Sequence, residues 1–436
     1  MPERRKKAAA SGEDRISTLP DALLLHTLSL LASEEAVRTC VLARRWRNLW
    51  RYTPSLRLIH DDDIDVDIDV DESSLVHDDD TDFDKPRFSS AEHFNKFVSH
   101  LIVLRHRSPL VNCEIELYPD EDPGTCQYIQ AVQLWIQYAL ACQVQLLNIF
   151  DNYGDQRLLL NVPFISSYLM TVHLRNVSLE CSMNLSSCLV LENLEMTHCN
   201  IFMHKISSKS LKRLNMTECF FRTEVRTRFS FPGLLSLHLE DGDFRTPLLE
   251  NMPLLETAFI RLEERCLDRC DNGDGNCDQE SCEGCYGFHH YQSVLLNGLS
   301  NAINLELLAE PKKYIFRRDV AWCPIFGRLK TLVLNEWCVA VDMYSLVRVL
   351  QRSPILEKLT LQINNNRDIK SAIGVEGNHI PAKLSFVCTQ LKVANIECQE
   401  LNEKVYIIWN ILRACGVHPE KISIKIKHTV SSFDGM

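Results

Sequence analysis

The chain has 436 residues, of which 45% are hydrophobic and 24% are charged, and its formal net charge is −11. This composition is typical of a globular protein with room for two or three domains, and no apolar run approaches the length of a transmembrane helix. Thirteen Asp and Glu residues lie within residues 61–84, which contain no Lys or Arg. The remainder is therefore nearly neutral, which argues against a general nucleic-acid binder.

The N-terminal residues, MPERRKKAAASGED, lack the apolar core of a signal peptide. Together with eighteen cysteines, this predicts a reducing compartment, cytoplasmic and/or nuclear, with mostly free thiols. Residues 1–13 are predicted to be a disordered basic tail.

Residues 14–54 carry the first strongly patterned segment. Pro20 is suited to a helix start, and Leu24, Leu28 and Leu31 then recur at helical spacing. Ser33 is expected to cap a second helix, and a short third helical segment is expected to end near Trp50. Because three short helices bury little surface, their outer apolar residues are expected to dock another protein.

The string ISTLPD, a leucine-rich helix and RTCVLARRWRNLW together resemble the F-box in its plant form. The resemblance implies a three-helix module that binds a Skp-type adaptor and, through it, the cullin scaffold of a ubiquitin ligase. The positions that the family uses for this contact correspond to Leu19, Pro20, Leu24, Leu28, Val41, Leu42 and Trp46. From helical spacing alone, an ordinary helical subdomain with these residues as its core remains an alternative.

Residues 60–86 are predicted to be a solvated acidic linker, since like charges repel and no calcium-loop signature is present. After it, periodicity predicts an alternation of helices and strands. The helices are expected at Ala91–Leu104 and Tyr128–Ala141, and the strands at Val111–Leu117 and Val144–Ile149.

One pattern, Leu-x-x-Leu-x-Leu and close variants, then recurs. Its copies begin at Leu169, Leu191, Leu211, Leu234, Leu329 and Leu356, and the first four are 22, 20 and 23 residues apart. This spacing is typical of leucine-rich repeats, so residues 88–365 are predicted to form an irregular solenoid. Cys199 and Cys219 are expected at a buried turn.

Because strand side chains alternate, residues between the repeat leucines should share the concave surface and contact the target. The predicted target-binding residues are Thr171, His173, Arg175, Asn193, Glu195, Arg213, Asn215, His238, Glu240 and Lys358.

The Cys-, Gly- and acid-rich residues at about 264–290 interrupt the repeats. Cys282 and Cys285 have the spacing of a zinc knuckle, but no second such pair exists, so a solvated metal-free insertion is favoured. Residues 380–428 follow the order strand, helix, strand, with strands at Leu384–Phe386, Leu391–Ile396 and Lys421–Lys427 and a helix at Val405–Ala414. This order resembles the FBD module of plant F-box proteins, and it is expected to cap the solenoid.

The sequence thus predicts an α/β protein: a small F-box, an irregular leucine-rich solenoid and an FBD-like cap. No nucleophile elbow, phosphate loop or metalloprotease motif is present, so a non-catalytic role without a cofactor is expected. By resemblance, the chain recognises an unknown target protein for a cullin-type ubiquitin ligase, with neither nucleic acid nor membrane as a partner. A small-molecule co-receptor and a structural F-box protein outside any ligase are the alternatives.

Overall fold

The structure, a computed structural model, describes residues 19–60, 91–105, 107–118, 125–152, 157–180, 185–223, 226–240, 242, 245–262, 268, 293–310, 314–339, 343–363 and 386–427. The predicted basic tail, nearly all of the acidic linker and the cysteines of the insertion lie outside these residues. The chain divides into two compact units, Met1–Asn152 and Tyr153–Met436. No helix within the described ranges is long and apolar enough to span a membrane.

The first unit begins with two short α-helices, α1 (Asp21–Ser29) and α2 (Ser33–Arg38). Two 3₁₀ segments, Thr39–Val41 and Trp46–Tyr52, follow where the sequence predicts the rest of the second helix and a third. The α-helical hydrogen bonding stops in a run that contains Val37, Thr39 and Val41, whose branched side chains are poorer helix formers.

The prediction that Ser33 caps α2 is wrong. The N-cap is Ala32, which makes no side-chain cap. Ser33 is instead buried, and its hydroxyl oxygen accepts the backbone N–H of Arg57 at 3.0 Å. The side chain therefore connects α2 to the following strand instead of capping the helix.

The rest of this unit alternates strands and helices in the predicted order. They are β1 (Ser55–His60), α3 (Ala91–Leu104), β2 (Asn112–Leu117), α4 (Thr125–Ala141) and β3 (Leu146–Asp151). The three strands are parallel, with β2 between β1 and β3. Alternate strand residues are buried under the helices, where Phe94 meets Trp135 edge-on at 5.7 Å between ring centroids.

The second unit is rich in short strands. Its first half contains β4 (Leu158–Leu160), β5 (Thr171–Arg175), β6 (Val177–Leu179), β7 (Asn193–Thr197), β8 (Asn200–Ile201), β9 (Lys205–Ser207), β10 (Arg213–Thr217), β11 (Phe220–Phe221), β12 (Arg228–Ser230), β13 (Ser236–Glu240) and β14 (Leu248–Leu249). Its second half contains β15 (Thr257–Leu262), β16 (Asn304–Ala309), α5 (Tyr314–Val320), β17 (Thr331–Asn335), α6 (Tyr344–Gln351), β18 (Lys358–Ile363), β19 (Val393–Cys398), α7 (Glu403–Ala414) and β20 (Ile422–Ile426).

Three parallel sheets organise these strands. In the largest, β5, β7, β10, β13, β15, β16, β17, β18, β19 and β20 are neighbours in chain order. The smaller sheets contain β4, β6, β8 and β11, and β9, β12 and β14. Each repeat thus supplies one strand to the large sheet, with its leucines buried. This is a mixed α/β fold with a sheet-rich, repeat-like region.

A corner at the end of the large-sheet strand recurs in three successive repeats. Asn176, His198 and Glu218 have positive φ angles of 58°, 55° and 51°. Each donates its backbone N–H to the end of the next strand, at 2.9, 3.0 and 2.8 Å. Cys199 and Cys219 follow two of these corners and are buried, with their thiols directed at backbone carbonyls. The left-handed residue therefore redirects the chain once per repeat.

Two strands of the large sheet in the second unit, β15 and β16, were not predicted from the sequence. The copy Leu255-x-x-Ala258-x-Ile260 runs into β15, and the copy Ala302-x-x-Leu305-x-Leu307 runs into β16. All six of these residues are buried, as the repeat leucines are. In each copy an alanine replaces one of the leucines that define the pattern, so these two copies do not match it.

The C-terminal elements extend the large sheet with β19 and β20, separated by α7. The helix begins after Asn402, whose side-chain oxygen accepts the N–H of Val405 at 3.0 Å. It ends before Gly416, whose φ of 81° favours glycine and where an added Cβ would lie 2.5 Å from Cγ1 of Val387. The predicted strand Leu391–Ile396 is found two residues later, and Phe386 lies outside any strand.

Candidate protein-interaction surfaces

The N-terminal helices divide the predicted adaptor-binding residues into two groups. Leu24, Leu28 and Trp46 are buried, with exposed fractions of 1%, 1% and 6%. Leu19, Val41 and Leu42 are exposed, at 36%, 83% and 68%, as is Pro20. Only the second group is accessible to a partner, so the buried residues act by holding the helices in place.

Two further leucines are exposed that the sequence analysis did not select. Leu23 and Leu30 are 51% and 62% exposed and lie seven residues apart, which puts them on the same side of the helical path. We call the exposed residues Leu19, Leu23, Leu30, Val41 and Leu42 the helical apolar set. The outward position of Leu23 follows from the register of Leu24 and Leu28, which fixes the inward side of α1.

Charged side chains fix these helices relative to one another. Nε of Arg45 donates to the Asp21 carboxylate at 2.8 Å, which brings the second 3₁₀ segment next to the first turn of α1. Arg57 donates to the Leu30 carbonyl at 2.6 Å and to the Glu114 carboxylate at 2.9 Å. These contacts hold the ends of α1 against the second 3₁₀ segment and β1.

A buried arginine secures the other side of the helical segment. Arg105, at the end of α3, is 1% exposed and donates to the carbonyls of Trp50 and Thr53 at 3.2 and 2.8 Å, and to the Thr53 hydroxyl at 2.7 Å. Because a buried cation needs such partners, these bonds join the helical segment firmly to α3. These hydrogen bonds therefore fix the helices that carry the exposed leucines.

In the second unit, the predicted target-binding residues lie on one face of the large sheet. The strand registers define rows that cross the sheet. One row runs from Thr171 to Asn193 and then to Arg213, and the next runs from His173 through Glu195 and Asn215 to His238. Lys358 continues the first of these rows on β18, and all of the predicted residues are exposed or half-buried. We call the positions in register with Thr171, His173 and Arg175 the strand face.

Neighbouring side chains on the strand face are linked along the rows. Asn193 donates to the Thr171 hydroxyl at 3.1 Å and accepts from Arg213 at 2.6 Å. Nε2 of His173 lies 3.8 Å from the Glu195 carboxylate. The face is therefore a polar surface whose side chains are held by cross-strand contacts.

The centre of the strand face contains three residues that the sequence analysis missed: Phe259, Arg261 and Glu306. The Phe259 ring stacks on His238 with centroids 4.4 Å apart and planes 9° apart, and the Arg261 guanidinium lies 5.4 Å from the Phe259 ring. Glu306 occupies the next position along the row. A search that accepts alanine at the leucine positions would have found these strands.

The titratable groups of the second unit reflect burial. Burial raises the pKa of Cys323 to about 12, which keeps this thiol protonated. Burial also raises the pKa of Glu306, although Arg261 and His238 oppose that shift. Among the described residues, no three His, Cys, Asp or Glu residues are arranged to hold a metal ion. The zinc candidates Cys282 and Cys285 lie outside the described residues.

Comparison with known proteins identifies relatives along most of the chain. No family model matches. A putative F-box/LRR-repeat protein of Arabidopsis thaliana is 27% identical, covering 84% of this chain and 85% of the relative. The rice protein named MEIOTIC F-BOX, from Oryza sativa subsp. japonica, is 28% identical over 80% of this chain and 71% of its own length. A putative F-box/FBD/LRR-repeat protein of Arabidopsis thaliana is 28% identical over 92% of this chain and 88% of its own length.

The resemblance predicted from the sequence motifs is therefore confirmed: the chain is similar over 80–92% of its length to plant F-box/LRR-repeat and F-box/FBD/LRR-repeat proteins.

Proposed function

We propose that this chain is the target-recognition subunit of a cullin-based ubiquitin ligase. Its N-terminal helices act as a three-segment F-box that binds a Skp-type adaptor. Its repeats form a leucine-rich solenoid whose strand face holds the target protein, and β19, α7 and β20 act as an FBD-like cap. The chain itself catalyses nothing, and its contribution to ubiquitin transfer is to position the target.

The observation that carries the proposal is the helical apolar set. A small unit that already buries Leu24, Leu28 and Trp46 still exposes five large aliphatic side chains on rigidly braced helices. Exposing such residues to water is unfavourable, and five of them on one small unit indicate a surface that a partner covers. The relatives are named as F-box proteins, and on that basis we assign this surface to an F-box.

The adaptor contact is tested by the double substitution Leu19→Ala with Pro20→Ala. Both residues are exposed, and they precede α1, so their loss removes contact area and loosens the start of the helix. We expect co-purification with a Skp-type adaptor to be abolished while the second unit keeps its circular dichroism spectrum and melting temperature. Unchanged adaptor binding would favour a structural F-box protein outside any ligase.

The target contact is tested separately on the strand face. Arg175, Arg213 and Lys358 lie on three different strands of the same face. We expect reversal of all three charges to weaken capture of a ubiquitination target while leaving adaptor binding unchanged. If capture survives these changes but is lost on deleting residues 380–436, the C-terminal elements are the recognition module instead.

A further inference from the structure

The carboxylates of the strand face differ in whether the protein neutralises them. Oε1 of Glu240 lies 2.7 Å from Nη1 of Arg261, and its Oε2 lies 2.9 Å from Nε2 of His238. Glu397 lies 2.7 Å from Nζ of Lys427. Glu306, on β16, has no Lys, Arg or His within ion-pair distance in the part of the chain that the structure describes. Glu195 has His173 within 3.8 Å. Among the described carboxylates on this face of the second unit, Glu306 is the one that no basic side chain reaches, which leaves it for an outside cation.

The surroundings of Glu306 are apolar on both sides. Its register partners are Phe259 on β15 and Val333 on β17, and neighbouring strands are separated by about 5 Å. Leu308, two residues further along β16, is buried. Glu306 itself is half-buried, and this burial is the largest cause of its raised pKa. A partly desolvated, unpaired carboxylate is unfavourable until a cation joins it.

The two nearest basic groups are already engaged. Arg261 and His238 each contact one oxygen of Glu240, and both also pack against the Phe259 ring. Moving either of them to Glu306 would break a charged hydrogen bond and a ring contact together. Arg261 and His238 therefore compensate the charge of Glu240 and leave the charge of Glu306 without an ion-pair partner.

We propose that Glu306 is the anchor for one lysine or arginine side chain of the target protein, presented by an extended segment lying across the strand face. Phe259 and Val333 would contact the methylene stem of that side chain while its charged group meets the carboxylate. The proposal rests on the proposed function, because it takes the strand face to be the target-binding surface. It adds the chemistry of the segment that is recognised.

The test uses the purified full-length chain in complex with a Skp-type adaptor as bait for a phage-displayed library of random twelve-residue peptides. We expect the wild-type chain to enrich peptides with Lys or Arg at one fixed position. Glu306→Gln should weaken binding of the enriched peptides at least tenfold. Glu306→Lys should instead enrich peptides with Asp or Glu at that position, which a merely structural role would not produce.

Glu397→Gln is the matched control, because it removes an equally charged side chain from the same face where Lys427 already neutralises it. We expect it to leave peptide binding unchanged. Phe259→Ala distinguishes the two proposals. Peptides that are weakened by Phe259→Ala but not by Glu306→Gln would overturn the anchor and leave the strand face as the binding surface. Peptides insensitive to both changes, or the absence of any enriched peptide, would count against the strand face itself.

Discussion

The most direct test of the helical apolar set replaces Val41 and Leu42 together by serine. These two side chains are 83% and 68% exposed, so their removal costs the free chain little. Full burial of a Val or Leu side chain stabilises by about 1.5–3 kcal/mol, and the exposed fractions scale the pair to about 2.3–4.5 kcal/mol if an adaptor covers both. Adaptor affinity should therefore fall roughly 40- to 1,600-fold.

The assay pairs calorimetric titration of a purified Skp-type adaptor with thermal unfolding of each variant. Leu24→Ala is the matched control, since it shortens a leucine of the same helical segment that is only 1% exposed. It should lower the free energy of unfolding of the first unit by about 2–5 kcal/mol. The affinity of its folded fraction should change little. A Val41→Ser/Leu42→Ser chain that binds normally would refute the assignment of these residues to the adaptor surface.

Three further expectations concern the second unit. Asp319 is fully buried, and its carboxylate accepts the backbone N–H groups of Val294, Leu295 and Leu296 and the hydroxyl of Ser293. Asp319→Ala should therefore lower the urea-unfolding free energy by about 3–5 kcal/mol, and a loss below 1 kcal/mol would contradict this anchoring role. Burial raises the pKa of Glu336 from 4.5 to about 7. Between these two pH values the folded chain keeps a proton on this carboxyl group that the unfolded chain releases. The resulting stability should be complete below about pH 4.5 and lost as the pH rises through 7, by about 1–2 kcal/mol after solvent screening, and urea unfolding of Glu336→Gln at pH 5 and pH 8 should lack this slope. Metal analysis of chain purified without chelator should find no stoichiometric zinc, and zinc lost on changing Cys282 and Cys285 to serine would prove the opposite.

The elements with strict periodicity were predictable from the sequence. The helix predicted at Ala91–Leu104 is found over those residues, because its apolar side chains recur without interruption. The repeat strands were likewise predictable wherever leucine occupies the buried positions. These predictions succeed because burial of a continuous apolar stripe dominates the local free energy.

The N-terminal helices show what such patterns leave out. Leu24 and Val41 are both apolar and both belong to helical repeats of the sequence, yet the first is buried and the second is among the most exposed residues described. Periodicity indicates that a residue lies on an apolar stripe, but not whether the protein or a partner covers it. That distinction requires the tertiary contacts of Arg57 and Arg105, which come from residues far away in the chain.

The strand face shows the same limit at the centre of the large sheet. Ala258 and Ala302 depart from the leucine pattern, and β15 and β16, the strands of these two copies, carry Phe259, Arg261 and Glu306 on the opposite face. Strands β5, β7 and β10, farther along the same sheet, place Thr, Asn, Glu, His and Arg at the equivalent positions. An aromatic ring and a partly desolvated carboxylate are more specific binding groups than these, so recognition is expected where the repeat is least regular. The regular copies supply the buried leucines of the sheet, and the irregular copies supply the aromatic ring and the carboxylate on its exposed face.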